Sequence, residues 1–399
     1  MDALYLSYDG ALDPLGRSQV VPYIEGLARS GWGFDLVTFE KDARWEDGAS
    51  RAAMGSRLAA AGVRWSPLRY HKRPPVLSTG FDIARAVRRV RALVRERRPA
   101  LLHARSYPAA VVARRVGGEE GIPWVFDMRG FYADERVDGG LWRDRGLLYR
   151  LTKRVERGLL CDAAAVVTLT DASVPVLSEW IAAAAGRPLV RVIPTCVDLA
   201  RFGRVAPLPR GRPFELAYFG SIGTWYLLEE MLAFGRAVLE AADGGRLLFL
   251  TNEDPERVRR YARAAGVPDT ALRTGSVPHE EVPAALAEAS ATFFFIRPGR
   301  SRFAFHQTKL GESLALGLPV AANRGIGDTD RLPRDGVGVL VESLDPAGYA
   351  AAARALVALA RDPATPERCR AVAEARYDLA HGVDAYARLY QDVIAGARA

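Results

Sequence analysis

Two doubly wound α/β domains, each built on a parallel sheet, are what this sequence predicts. Apolar β-branched runs alternate with longer amphipathic stretches from end to end. Buried strands joined by helical crossovers form parallel sheets. The proline-rich stretch VAPLPRGRP, Val205–Pro213, interrupts the alternation, which then starts afresh. The chain has 399 residues, enough for each half to bury its own core. A first domain is therefore expected over residues 1–206 and a second over 207–376, with a closing segment at 377–399.

Strands are expected in the first domain at Ala3–Ser7, Phe34–Phe39, Leu101–Ala104, Trp124–Asp127, Ala164–Leu169 and Val190–Ile193. They resume at Phe214–Phe219, Arg246–Leu250, Ala291–Ile296, Leu318–Ala322 and Val337–Val341. Ligands of such folds bind outside the carboxyl ends of the strands, so a cleft is expected where the two sheets face each other. A helix over Phe81–Arg98 would bury a stripe of Ile83, Val87, Val90 and Val94. A last helix, about Gly382–Ala397 after a break at His381-Gly382, places Tyr386, Leu389, Tyr390 and Ile394 on one face.

Composition narrows the function classes. Hydrophobic residues make up 49% and charged residues 26%, which excludes a disordered chain, a collagen-like fibre and a disulfide scaffold. Cys161, Cys196 and Cys369 are scattered and odd in number, and suit neither a disulfide framework nor a zinc site. The opening MDALYLSYDG carries Asp2 and Asp9 and no basic run, so no secretory leader is expected. No apolar run is long enough to span a bilayer. A cytoplasmic protein is expected, with peripheral placement at the inner membrane face as an option.

Charge is uneven. The net charge is +8, yet Arg64–Arg115 alone holds 14 basic residues against Asp82 and Glu96. This patch reads as a solvated helix face or as contact with an anionic membrane. Nucleic acid is not expected, because Trp65, Tyr70 and Tyr107 form no stacking platform. Lysine is rare: Lys41, Lys72, Lys153 and Lys309 are the only four. A retained ammonium is not interchangeable with a guanidinium.

Ile296–Asp328 reads as strand, arginine-rich loop, helix and strand. The helix would start near Thr308 as N-cap and end at Gly317. Backbone N–H groups, the helix dipole and Lys309 in the first turn would converge on an anion. Glu312, three positions on, is spaced to accept two sugar hydroxyls. Lys309 on a diphosphate and Glu312 on a ribose is one reading; an exposed i,i+3 salt bridge is the other.

TKLGESLALGLPV, with the preceding strand and the following GIGD loop, resembles the nucleotide-sugar site of the family-4 glycosyltransferases. LSYDGALDPLGRSQVVPYIEGLARSG, IPTCVDLARF and GSVPHEEVPAALAEA resemble further family segments in the right order. The resemblance implies the GT-B fold, two Rossmann-like domains facing a cleft, with a C-terminal helix returning to the first. It places the acceptor side in the first domain and the nucleotide-sugar donor in the second. It implies donor contacts from Gly16, Arg17, Gly220, Ser221, Val277, Thr308, Lys309, Leu310 and Glu312. Two departures stand out: Ala304 replaces the first of the family's paired glutamates, and Gly220–Trp225 replaces its usual Arg and Lys. Neutralisation of the diphosphate then falls on Lys309 and Arg297. At the strand end where the family often has a histidine, Asp127 or Arg129 stands; Arg129 joins Lys309 and Arg297 as a catalytic candidate. Asp134, Glu135 and Arg105 are acceptor candidates. His103 reads as a core histidine, His279 as a solvated turn residue, and His306 as a neighbour of the site loop.

Asp328-Thr329-Asp330 matches the Asp-x-Asp pattern of metal-dependent glycosyltransferases of another fold. Here Asp328 more simply caps a turn or touches a donor hydroxyl. No metal and no cofactor is expected, since the nucleotide sugar (a UDP- or GDP-sugar) is a substrate. The resemblance implies transfer with retention to a sugar, lipid-linked or small-molecule acceptor, in cell-surface polysaccharide or secondary-metabolite synthesis. The departing phosphate would take the acceptor proton. A nucleotide-sugar epimerase of the same fold and a non-enzymatic binder of anionic surfaces are the alternatives.

Overall fold

The computed structural model describes every residue except 75–76, 185, 204–211, 224 and 398–399. The chain forms two compact units, Met1–Pro194 with Leu379–Ala399, and Thr195–Asp378. The expected boundary at 206/207 lies outside the described residues. The second unit already includes Thr195–Phe202: Val197 N–H donates to Tyr377 O at 2.7 Å, and Phe202 is buried in the second core.

Seven parallel strands build the first unit: β1 Asp2–Ser7, β2 Gly33–Glu40, β3 Val63–Arg69, β4 Leu101–Arg105, β5 Trp124–Asp127, β6 Ala165–Thr168 and β7 Leu189–Val192. Their order is β3-β2-β1-β4-β5-β6-β7. The strands β1 and β4–β6 are buried along nearly their whole length, as their apolar runs foretell. The edge strand β3, VRWSPLR, is not expected from sequence: six of its seven residues are half-buried or exposed, and it includes Pro67. An edge strand has one neighbour and less to bury, so its apolar signal fades. Register aligns Thr38, Ser7, Arg105 and Asp127 in a row at the carboxyl ends.

Helices α1 Val21–Arg29, α2 Leu77–Arg97, α3 Tyr107–Glu120 and α4 Leu147–Asp162 flank this sheet. The buried stripe of α2 is turned from the expected one. Asp82, Ala86, Val90, Leu93 and Val94 are inside, while Ile83 and Val87 are half-buried. Asp82 turns the helix: fully buried, it accepts from the His71 N–H at 2.9 Å and lies 2.6 Å from His71 Nδ1. A buried carboxylate needs such partners.

Six parallel strands build the second unit: β8 Glu215–Phe219, β9 Arg246–Leu250, β10 Leu272–Gly275, β11 Ala291–Phe294, β12 Val320–Asn323 and β13 Gly338–Val341, in the order β10-β9-β8-β11-β12-β13. The edge strand β10, LRTG, also escapes the sequence pattern, for the same reason. Helices α5 Leu228–Ala241, α6 Thr308–Ala315, α7 Pro346–Arg361 and α8 Thr365–Tyr377 complete it. Phe234, Phe249, Phe293 and Phe295 fill the core, with ring centroids 5.1 Å apart for Phe234–Phe295 and 5.8 Å for Phe249–Phe293.

The closing helix α9, Leu379–Gly396, runs unbroken through Gly382 and belongs to the first unit. Tyr386, Leu389, Tyr390 and Ile394 are its buried face. It approaches α1 closely at Gly26, where a Cβ would stand 2.5 Å from Val383. The Tyr390 hydroxyl and His103 Nδ1 are 2.7 Å apart. His103 is thus a core histidine, as expected.

Candidate functional site

In the second unit, β8 is followed by Gly220, and β11 runs into the arginine-rich loop before α6. Asn323, at the end of β12, fixes where that loop begins: its side-chain amide pairs with both Ile296 N–H (2.8 Å) and Ile296 C=O (2.9 Å). Leu227 N–H then donates to Phe295 O, and Arg297 N–H to Trp225 O. This short antiparallel zip sets Trp225 and Tyr226 against the start of α6. Thr292 Oγ1 donates to Ser313 Oγ at 2.8 Å and ties the helix to β11. The N-cap of α6 is Gln307, not Thr308, which is its first helical residue.

Lys309 is folded inward. It is buried, and its Nζ donates to the Tyr218 hydroxyl at 3.0 Å. The Tyr218 hydroxyl in turn donates to Ser221 O. The same Nζ stands 4.1 Å from the ring centroids of both Tyr218 and Tyr226, a cation–π arrangement. Gly220 has φ +112°, and a Cβ there would stand 3.2 Å from the ammonium. Glycine thus supplies both the backbone conformation and the space. Burial pulls the Lys309 ammonium down to about 7, while Glu312 pulls the other way.

Glu312 is one turn along α6 and nearly buried; its Oε1 lies 2.6 Å from His279 Nε2. His279 is half-exposed and leans on Phe202, ring centroids 5.6 Å apart. The exposed i,i+3 salt bridge is not found: Glu312 is buried and bonds to His279 rather than to Lys309. His279 is exposed, as expected of that turn, and it also holds the carboxylate.

Arg297 is exposed. The buried cation of its loop is Arg302, fully enclosed, with its guanidinium 4.2 Å from the Trp225 ring and 5.0 Å from Phe305. Sequence reading missed Arg302, Tyr218 and Tyr226; three arginines in one loop gave no sign of which turns inward. The Leu310 side chain belongs to the core, so only its backbone faces α6's first turn. Ser221 is exposed, and Thr308 and Val277 are half-buried. Ala304 is buried and His306 half-buried, its ring 5.2 Å from Tyr377. Asp328 is half-buried and Asp330 exposed. Among the described residues no three His, Cys, Asp or Glu side chains are grouped to hold a metal ion.

The first unit differs. The segment expected to present N–H groups to a phosphate is a short helix, Pro14–Gln19, in which Arg17 is exposed and its N–H donates to Asp13 O. A Cβ on Gly16 would run into Gly10 O at 1.8 Å, so close packing explains this glycine. The loop N–H groups of Ala11 and Leu12 donate instead to the Glu40 carboxylate, at 2.8 and 3.1 Å. Glu40 is fully buried and also accepts from Thr38 Oγ1 at 2.6 Å. These two N–H groups are thus already bonded within the unit.

Arg105 and Arg129 both donate to Gln19 Oε1 at 2.9 Å. Each also comes within 3.7 Å of Asp127. Burial pushes the Asp127 carboxyl up, but Arg129, His103 and Arg105 outweigh it and hold it at about 2. Arg129 has φ +61°, a strained conformation for a residue with a side chain. Asp134 is buried, accepting from Tyr149 Oη at 3.1 Å and Lys153 Nζ at 3.3 Å. Glu135 is half-buried, its Oε1 lying where a Cβ on Gly130 would be.

Comparison with known proteins follows this division. The profile described as Glycosyl transferase 4-like domain matches residues 17–196, and that described as Glycosyl transferases group 1 matches residues 216–359. No curated protein matches significantly. Sucrose-phosphate synthase from Thermosynechococcus elongatus is similar in structure, with TM-score 0.76 and 17% identity over 99% of this chain and 100% of that one. So is Anabaena HepE, solved in complex with UDP and glucose, with TM-score 0.68 and 14% identity over 98% and 100%. A putative UDP-N-acetylglucosamine 2-epimerase from Listeria monocytogenes follows, with TM-score 0.61 and 10% identity over 96% and 94%. At these identities the likeness shows the shared fold.

Proposed function

The chain belongs to the family-4-like glycosyltransferases of GT-B fold, and from that premise we propose that α6 grips the diphosphate of a nucleotide-sugar donor whose sugar passes, with retention, to an acceptor hydroxyl. The observation that carries this reading is Lys309: a buried ammonium in the first turn of a helix, held by two tyrosine rings and a hydroxyl. Burying a cation without an anion is unfavourable. A diphosphate at the helix N-terminus relieves that cost and meets the dipole as well. The HepE complex with UDP supports a nucleotide-sugar donor.

Glu312, oriented by His279, accepts the ribose hydroxyls. As the donor bond breaks, negative charge grows on the leaving diphosphate, and a fixed Lys309 stabilises it more than it stabilises the ground state. The leaving phosphate takes the acceptor proton on the same face. Lys309 and the helix terminus supply the positive charge, so transfer persists after treatment with a chelator.

Calorimetry with UDP and GDP on the wild type and on Lys309→Ala tests the reading. Binding lost in the variant supports it; equal binding refutes it. Sugar release that needs an added acceptor marks a transferase, whereas conversion of the nucleotide sugar alone marks an epimerase.

A further inference from the structure

Five of the exposed large apolar side chains lie close together in sequence. Leu141 is 62% exposed, Leu147 67%, Leu148 45%, Leu151 52% and Val155 41%. Apart from Leu141, which precedes it, all lie on α4. Leu147, Leu151 and Val155 repeat at i, i+4 and form a stripe along the helix, with Leu148 at its side. Glu156, Leu159 and Leu160 turn to the core on the opposite side.

Along the other flank of the stripe run Arg150, Arg154 and Arg157, all exposed. With Arg114 and Lys153 they line a shallow concavity that also includes Asp162. The ion pairs here are Arg114–Asp162, Lys153–Asp134 and Lys153–Glu156, and Arg150, Arg154 and Arg157 take part in none of them. Leu141 and Leu147 bracket two more exposed arginines, Arg143 and Arg145. The basic segment singled out in the sequence is neutralised in part. Its Arg64, Arg91, Arg95 and Arg115 are taken up by Asp35, Glu119 and Glu120.

We propose that this face of α4 lies on an anionic lipid bilayer, its leucines at the acyl boundary and its arginines on headgroup phosphates. An apolar stripe beside a cationic one is the pattern of an interfacial helix, and long arginine side chains reach phosphates while their stems stay on apolar surface. A second copy of the chain fits less well. A twofold contact through this face would bring arginines of the same sign together. No helix among the described residues is long and apolar enough to cross a membrane, so this contact is peripheral. It goes beyond the proposed transfer and is independent of it.

Sedimentation of the full chain with vesicles of phosphatidylcholine, with or without about one third phosphatidylglycerol, tests this. The wild type should bind the anionic vesicles, and less so at high salt. Leu147→Ser/Leu151→Ser should lower partitioning by about tenfold. Arg150→Glu/Arg154→Glu should remove the preference for phosphatidylglycerol, while Arg88→Glu on α2 should change nothing. All these positions are exposed, and thermal midpoints equal to the wild type would show that the variants fold. Failure of the wild type to bind, or unchanged binding in the leucine variant, overturns the proposal. A lipid-free dimer that Leu147→Ser/Leu151→Ser dissociates, without vesicle binding, assigns the face to a second copy and overturns it too.

Discussion

The carboxyl ends of the two sheets solve the same electrostatic problem in opposite ways. In the first unit, the loop N–H groups after β1 are already met by Glu40, and Arg105 and Arg129 are met by Asp127 and Gln19. Charge there is balanced from within. In the second unit, the buried Lys309 is held by a hydroxyl and two rings, forms no ion pair among the described residues, and has Glu312, itself bonded to His279, as its nearest counter-charge along the helix. A buried cation with no ion-pair partner at bonding distance favours a negatively charged ligand.

The largest expected effect breaks this contrast outright if it fails. Lys309→Ala should cut turnover by about 10²-fold or more in initial-rate assays with the nucleotide sugar, the scale for one preorganised charge partner. Full activity in that variant would move the anion site elsewhere. Glu312→Gln should weaken nucleoside-diphosphate binding by about 1–3 kcal/mol in calorimetry, the cost of a lost hydrogen bond to a charged group. Equal affinities would leave Glu312 as a partner of His279 alone.

Glu40→Gln sharpens the other side. Gln presents one acceptor oxygen where the carboxylate presents two, so a loop N–H loses its bond. A loss of about 1–2 kcal/mol of stability in urea unfolding is expected, with nucleotide binding unchanged. A binding loss equal to that of the Lys309 variant would contradict the division of roles.

The smallest effect is in pH. Burial pulls the folded Lys309 ammonium from its ordinary 10.5 down to about 7. Between these values the unfolded chain holds more protons, so the stability of the ligand-free protein rises with pH above 7 and is lost as pH falls toward 7. The slope should approach at most about 1.4 kcal/mol per pH unit, the limit for one proton. Urea unfolding at several pH values should show it in the wild type and not in Lys309→Met.

Much of this was readable in the chain. Eleven of the thirteen strands announce themselves as apolar runs, and Lys309 and Glu312 stand out by spacing and by the rarity of lysine. The two edge strands do not, because a half-exposed strand needs no apolar run. Nor does the turn of α2, because Asp82 looks like a surface acid until His71 comes within reach.

Local pattern determined the alternation of strand and helix and the placement of Lys309 in a first turn, since both depend on neighbours a few residues apart. Only the tertiary structure decided which charges are satisfied. Tyr218, Tyr226 and His279 lie 91, 83 and 33 positions from their partners on α6, and whether a buried charge meets a carboxylate, a ring or nothing is a matter of distance in space.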